Sequence, residues 1–297
     1  MSETPARPVK LGVIGGSGLY DIEGLEDTEW CHVESPFGAP SDDVLCGRLN
    51  GLDIAFLPRH GRGHTQSPST INFRANIDVL KRLGVTDIIS LSAVGSLQDE
   101  LEPGDFLIVD QFIDRTFSRE KSFFGAGLVA HVSMARPVCT RLGDCIGEAA
   151  TAAAAEITIK RGGTYMVMEG PQFSSLAESE LYRSWGCSVI GMTNMPEAKL
   201  AREAEMCYAT VAMVTDYDCW HPHHEDVTVD AVIAAVHANA ATARALVKHL
   251  AGTIEHSRTT CAHGCDTALE YAVITAPDAR DPAMMKKLDA VAGRIIG

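Results

Sequence analysis

A single α/β domain built around a mixed, mostly parallel central sheet is predicted by three features of the sequence. Apolar runs such as LGVIGG, IISLSAVG and ATVAMVT end in glycine, serine or aspartate and hold no charge, the pattern of strands buried on both faces. Stretches of helical period or alanine-rich composition alternate with them, over 71–83, 140–155 and 229–256. No linker, repeat or low-complexity tract divides the 297 residues. The domain is therefore taken as 1–297, with a flexible tail over 1–9 and a C-terminal loop and helix over 258–297.

Bulk properties narrow the field. A net charge of -14 disfavours nucleic acid as a partner, because a negative field repels phosphate backbones. No apolar run approaches a membrane span, and the start, MSETPARPVK, lacks the apolar core of a signal peptide, so a cytoplasmic protein is expected. Of nine cysteines, Cys187, Cys207 and Cys219 sit in apolar surroundings that suit reduced core thiols. Cys261 and Cys265 form a C-x3-C loop that inert thiols, a local disulfide or a metal could explain. A zinc site would need two more ligands, and none stands at a suitable spacing nearby.

The elements follow in order. Residues 10–16 form a strand that runs into Gly15-Gly16-Ser17-Gly18, where backbone N–H groups and the Ser17 hydroxyl could cradle an anion. A tight turn would use the same residues, and neither a dinucleotide fingerprint nor a P-loop is present. Strands over 44–49 and 52–58 join through Asn50-Gly51, a strong hairpin signal. The second delivers Arg59-His60-Gly61-Arg62-Gly63-His64, the densest cationic cluster of an acidic chain and a second candidate for anion binding.

The helix over 71–83 turns Phe73, Ile77, Leu80 and Leu83 to one side, and the strand over 87–95 ends in a small hydroxylated turn, Ser92 to Ser96. A strand is expected over 103–112, a mobile polar loop over 114–125, and a lone His131 in the segment that follows. Residues 157–168 read as a strand, and Ser175-x-x-Glu178 as a capping box. A short strand over 188–192 leads to Thr193, and Asn194 with Glu197 suggest the cap of a helix to 206 with Pro196 in its first turn. The strand from Ala209 ends in Asp216 and Asp218. Val229, Val232, Ile233, Val236, Ala240 and Ala243 lie on the expected buried face of the long helix, and 282–296 is a terminal helix.

Several strand ends thus bring one inventory together: hydroxyls and N–H groups at Ser17, Ser92, Ala93 and Thr193, cations at Arg59 and His60, and an acid at Asp216. An anion site beside an acid is what phosphorolysis needs. The motifs GGSG, PRHGRGH, NFRAN, SAVGS, EGPQFSS, GMTNMPEA and VTDYDCW, in this order over about residues 10–250, resemble the trimeric purine nucleoside phosphorylase superfamily. Within it they are most similar to the branch that acts on 5′-methylthioadenosine.

The resemblance implies a single α/β domain whose mixed sheet curls into a distorted barrel. It implies phosphate held by Ser17, Arg59, His60, Ser92, Ala93 and Thr193, with Met192 against the ribose. Phe173 and Ser174 would hold the base, Asp216 and Asp218 would face the purine edge, and Val229 and Val232 would line the 5′ pocket. His131 would enter the neighbouring subunit's site in a homotrimer, or in a dimer of trimers. No metal or organic cofactor is implied; inorganic phosphate is a co-substrate. Ser17 and Ser92 stand where Thr is common, and either hydroxyl can donate.

Three other readings remain open on the residues alone. A phosphorylase of 6-oxopurine nucleosides or methylthioinosine would share most of the motifs, although an ionised carboxylate suits a 6-amino group better. A non-catalytic nucleotide binder would have no need of the acid. A metal hydrolase would use His221, His223, His224 and Glu225.

Overall fold

The computed structural model describes residues 6–16, 19, 21–153, 158–222 and 229–296. In chain order the strands are β1 (Arg7–Pro8), β2 (Lys10–Gly15), β3 (Leu25–Cys31), β4 (Val44–Leu49), β5 (Leu52–Pro58), β6 (Asp87–Ser96), β7 (Phe106–Val109), β8 (Gln111–Asp114), β9 (Ile159–Arg161), β10 (Thr164–Val167), β11 (Val189–Gly191), β12 (Cys207–Asp216) and β13 (Ser257–Arg258). The helices are α1 (Phe73–Arg82), α2 (Thr140–Ala153), α3 (Leu176–Ser184), α4 (Asn194–Glu203), α5 (Val229–Thr253), α6 (Pro282–Lys287) and α7 (Asp289–Ile296).

Local chemistry accounts for several of these elements. Asn50 and Gly51 both take positive φ, 51° and 80°, the geometry of the tight turn that joins β4 to β5. The Asn72 side chain caps α1 by accepting from the Ala75 N–H at 3.1 Å. Ser175 and Glu178 form the expected capping box of α3.

Eleven strands make one mixed sheet that branches at β6. On one side β6 runs parallel to β2, and through it to β5, β4 and β3. On the other it runs parallel to β12, which carries β7 and β9. Beyond Gly95 the first side changes partner, and β11 pairs there antiparallel, leading to β10 and β8. The last β2 partner is Ser90 and the first β11 partner is Gly95. Between them one edge of β6 faces a gap in the sheet.

Side chains of the central strands alternate between two apolar layers, as strand geometry requires. Ala209, Val211 and Met213 pack towards α2 and α5, while Tyr208, Ala212 and Val214 pack towards α1, α4 and α7. The result is a helix–sheet–helix sandwich with a core on each face. Among the described residues no helix is long and apolar enough to cross a membrane.

Some expectations need correcting. The strand expected over 103–112 is two, separated at Asp110, whose carboxylate accepts from the Gly163 N–H at 3.0 Å. The run over 157–168 likewise divides at Gly162-Gly163, which both take positive φ. The terminal helix breaks into α6 and α7 at Leu288. β3 was not foreseen, because its charged and mostly exposed sequence carries no apolar period. The tail is shorter at its inner end than 1–9: Arg7–Pro8 pairs with Ser257–Arg258, and Val9 is buried.

The expected cap of α4 is absent. Thr193 occupies the N-cap position without a side-chain bond to the helix N–H groups, and Met195 departs from helical geometry. Asn194 instead donates to Ser90, Tyr208 and Thr210 inside the core, and Glu197 pairs with Arg59. The loop over 114–125 is irregular as expected, but it is anchored. The buried Arg119 donates to the carbonyls of Met192 and Met195, both at 2.6 Å, and of Glu169 at 2.7 Å.

Candidate active site

The gap in the sheet opens into a cavity of about 310 Å³ at the carboxyl ends of β2, β5, β6 and β12, roofed by the first turns of α5. Ligands of open α/β sheets sit in this position. Gly16, Arg59, His60, Ser92, Ala93, Phe173, Met192, Thr193, Asp216, Asp218 and Val232, drawn from segments far apart in sequence, all line it. Ser17 lies outside the described residues.

Arg59 is almost wholly engaged by the protein. Its Nε and Nη2 reach the Glu197 carboxylate at 2.9 and 3.2 Å, Nη2 also donates to Ser90 Oγ at 2.6 Å, and Nη1 donates to the Leu91 carbonyl at 2.9 Å. Five N–H donors are available to a guanidinium, so at most one Nη1 hydrogen is uncommitted. Burial opposes the charge, and Glu197 more than restores it. Arg59 therefore fills the inner end of the gap as half of a buried ion pair, its charge balanced by Glu197, and lines the cavity.

His60 differs from expectation in charge. Its pKa is lowered to about 4, by burial first and by the Arg59 charge second. It is therefore neutral at neutral pH. Nδ1 lies 2.9 Å from the Gln66 carbonyl, which assigns the proton to Nδ1 and leaves Nε2 as an acceptor. The ring stacks on His64, with centroids 4.2 Å apart. Arg62, the other cation of the cluster, is turned away: it forms a fork with Asp42 and lies 4.2 Å over the Trp30 ring.

The hydroxyl wall is a connected set. Ser92 Oγ shares hydrogen bonds with Thr193 Oγ1 at 2.8 Å and with the buried Tyr165 hydroxyl at 3.0 Å. Ser92 and Ala93 lie within β6 rather than in a turn, because β6 continues to Ser96. They face the cavity because the sheet parts beside them.

The acidic wall comes from the end of β12. A register shift between Val214 and Asp216 interrupts the pairing with β6, and such irregularities re-aim side chains. Asp216 Oδ2 accepts from the Thr215 hydroxyl at 2.6 Å, and Oδ1 from the Asp218 N–H at 2.8 Å. Burial nonetheless raises its pKa above the usual carboxylate value. Burial also raises that of Asp218 against the opposing effect of the Ser179 and Ser174 hydroxyls; the residue has a positive φ of 53°, and its Oδ2 accepts no hydrogen bond within 3.5 Å among the described residues. Gly95 makes room for this wall. A Cβ there would lie 2.8 Å from Asp216 Oδ1 and 3.2 Å from the Asp218 nitrogen.

The roof is apolar. Val232, Val236 and Ala240, at i, i+4 and i+8 of α5, all face the cavity. Sequence reading assigned this stripe to the core, and the same helical period serves both. Val229 and Ile233 are not on the buried face: they are 62% and 49% exposed.

Four other expected residues stand apart from the cavity. Val229 does not line it, and the half-buried Ser174 stands behind it, its carbonyl taking the Cys219 thiol at 3.3 Å. His131 is exposed on a separate surface groove with Lys121, Lys199 and Glu203. His221 stacks on Tyr217, while His223, His224 and Glu225 lie outside the described residues. Tyr165 was not singled out, Gly95 was read only as part of the SAVGS segment, and Glu197, inside the GMTNMPEA motif, only as a helix cap.

A branched α/β sheet whose strand ends join an anion-compatible wall to a buried acid defines a phosphorylase-type enzyme. The chain belongs to the Phosphorylase superfamily, which matches residues 10–251. It is 63% identical to the S-methyl-5′-thioadenosine phosphorylase of Cereibacter sphaeroides over 96% of this chain and 98% of that protein. Among solved structures it resembles a methylthioadenosine phosphorylase from an antarctic soil metagenomic library, with a TM-score of 0.89, 46% identity and coverage of 96% and 99%. The methylthioadenosine phosphorylase of Schistosoma mansoni in complex with adenine also resembles it, with a TM-score of 0.75, 36% identity and coverage of 82% and 91%.

Proposed function

We propose that the protein cleaves 5′-methylthioadenosine with inorganic phosphate, giving adenine and 5-methylthioribose 1-phosphate. The observation that carries this reading is the half-buried Asp216, its pKa raised, on the same cavity as the Ser92–Thr193 hydroxyls and the Arg59–His60 end. A phosphate oxygen attacks C1′ of the ribose, the C1′–N9 bond breaks, and its electron pair moves into the purine. Positive character on the ribose is met by phosphate, and negative charge on the base by the Asp216 proton delivered to N7. The proton shed by the new phosphate monoester balances the one taken up by adenine. No cofactor enters the reaction so written.

The remaining roles follow from donor chemistry. Ser17, Ser92, Thr193 and the Ala93 N–H hold phosphate, and neutral His60 accepts from its protonated oxygen. Met192 packs on the ribose, while Phe173 holds the base and Ser174 supports that wall from behind. The other oxygen of Asp216 accepts from the 6-amino group, with Asp218 facing the same purine edge, a match that a 6-oxo group would lose. Val232, with Val236 and Ala240, receives the methylthio group, where a 5′-hydroxyl would find no partner. An apolar pocket of this kind discriminates by about 10–200-fold.

We also propose a trimer, completed by the partner subunit's His131. Phe173, Leu176, Val229 and Ile233, all large and apolar, are exposed in one protomer. Nine cysteines without a disulfide fit a cytoplasmic setting.

Incubation with methylthioadenosine, with and without phosphate, tests the reading. Free adenine should appear only with phosphate, and adenosine should be a poor substrate. Faster turnover of inosine than of methylthioadenosine, or adenine release without phosphate, would overturn it. Light scattering on the purified protein gives the mass that decides the trimer.

A further inference from the structure

Four cysteine sulfurs meet at the end of β12 remote from Asp216. Cys139 precedes α2, Cys207 begins β12, and Cys261 and Cys265 belong to the C-terminal loop. Their sulfurs all lie within 4.8 Å of one another, and all four residues are buried. The two partners that Cys261 and Cys265 appeared to lack are therefore present, 122 residues back at Cys139 and 58 back from Cys265 at Cys207. Sequence spacing could not show them, because the sheet brings them together.

The geometry discriminates between occupants. Cys139 and Cys261 sulfurs are 3.7 Å apart. A disulfide bond is about 2.05 Å. A tetrahedron with metal–sulfur bonds of about 2.3 Å has edges of about 3.8 Å. Cationic donors also point at the cluster: Arg258 Nη2 lies 3.4 Å from Cys207 Sγ and Arg202 Nη1 3.5 Å from Cys265 Sγ. Zinc with four thiolates carries two net negative charges, and N–H donors to sulfur stabilise such a centre. The Asp266 carboxylate ties Arg258 to the Cys261 N–H, which orients the loop. By contrast Cys187, a buried cysteine of the third apolar cluster, joins no such ligand group among the described residues.

We propose that Cys139, Cys207, Cys261 and Cys265 bind one zinc ion as a closed tetrathiolate site that fastens the C-terminal loop to the base of β12. All four coordination positions are filled by protein, so the ion is structural and has no open position for substrate. Binding releases the protons of whichever thiols are still protonated and involves no change of redox state.

The test is metal analysis of the intact protein, produced in zinc-supplemented medium and purified without chelator. About one zinc per chain is expected. Titration of the native protein with an organomercurial and a zinc indicator should release one zinc for about four thiols modified. Replacement by cobalt should give the thiolate-to-metal absorption of a tetrahedral sulfur site. Cys265→Ser should lose the ion and lower Tm by more than about 5 °C, while kcat/KM at low temperature stays within about twofold. Nine thiols titrating without metal release would overturn the proposal, as would mass evidence for disulfides among these four. A zinc-free enzyme with unchanged Tm would overturn the fastening role. The titrations on the unmodified protein stand even if the variant does not fold.

Discussion

The two ends of β12 were built from the same apolar strand and do opposite things. At Asp216 the strand ends in polar groups only partly satisfied by their neighbours: a carboxylate with a raised pKa and an Asp218 oxygen that accepts no hydrogen bond among the described residues. At Cys207 the polarisable groups converge on one another and are sealed from solvent. The strand spans ten residues, about 30 Å from end to end. Unsatisfied polarity marks the end that exchanges ligands, and convergence marks the end that holds still. Stability and activity should therefore respond separately to changes at the two ends.

The largest separation is expected at the acid. Asp216→Asn should lower kcat/KM for methylthioadenosine by about 10²–10⁴-fold and shift relative activity towards 6-oxopurine nucleosides, with little change in Tm. In the unsubstituted enzyme, proton donation fails as pH rises through the raised pKa of Asp216, so activity should fall on the alkaline side. A pH–rate profile should show that limb, and its persistence in the Asn variant would remove Asp216 from the donor role. Glu197→Gln should act on stability instead. It strands the buried Arg59 charge, which costs about 3–5 kcal/mol, readable in urea denaturation. A loss no greater than that of an exposed pair would show that Ser90 and the carbonyls alone support Arg59.

His60 tests the cationic wall with the sign reversed. Its folded pKa of about 4 lies below the ordinary 6.5, so the unfolded chain binds more protons between these values. Stability should fall as pH drops through that window, by up to about 3 kcal/mol. His60→Gln should flatten this dependence, and an unchanged acid limb would assign it elsewhere. The smallest effect expected is from Gly95→Ala. A methyl group 2.8 Å from Asp216 Oδ1 must displace it, and misplacement of about 1 Å can cost about 10²-fold in rate. Equal loss on methylthioadenosine and on a 6-oxo substrate would point to the backbone at Asp218 rather than to the acid.

What could be read in advance follows the range of each interaction. The β4–β5 turn and the capping box of α3 depend on residues at most three apart, and both were legible. So were the strand ends of the site, since a buried run that stops in polar residues is visible wherever it occurs. The pair Asn194 and Glu197 shows the limit. Their spacing fits a helix cap, yet one feeds a core hydroxyl network and the other neutralises Arg59, 138 residues away. Nothing local distinguishes the two uses. Val232 and Val236 show a second limit: helical period reveals an apolar stripe, but not whether side chains or a ligand will fill the space against it. The four cysteines show a third, because three separate segments supply them.

The sulfur cluster also orders events during synthesis. Its last member, Cys265, follows every strand of the sheet in chain order, so the base of β12 is unfastened while the sheet-forming sequence already exists. A ribosome that stalls before this residue yields a chain with every strand of the cavity but no completed anchor.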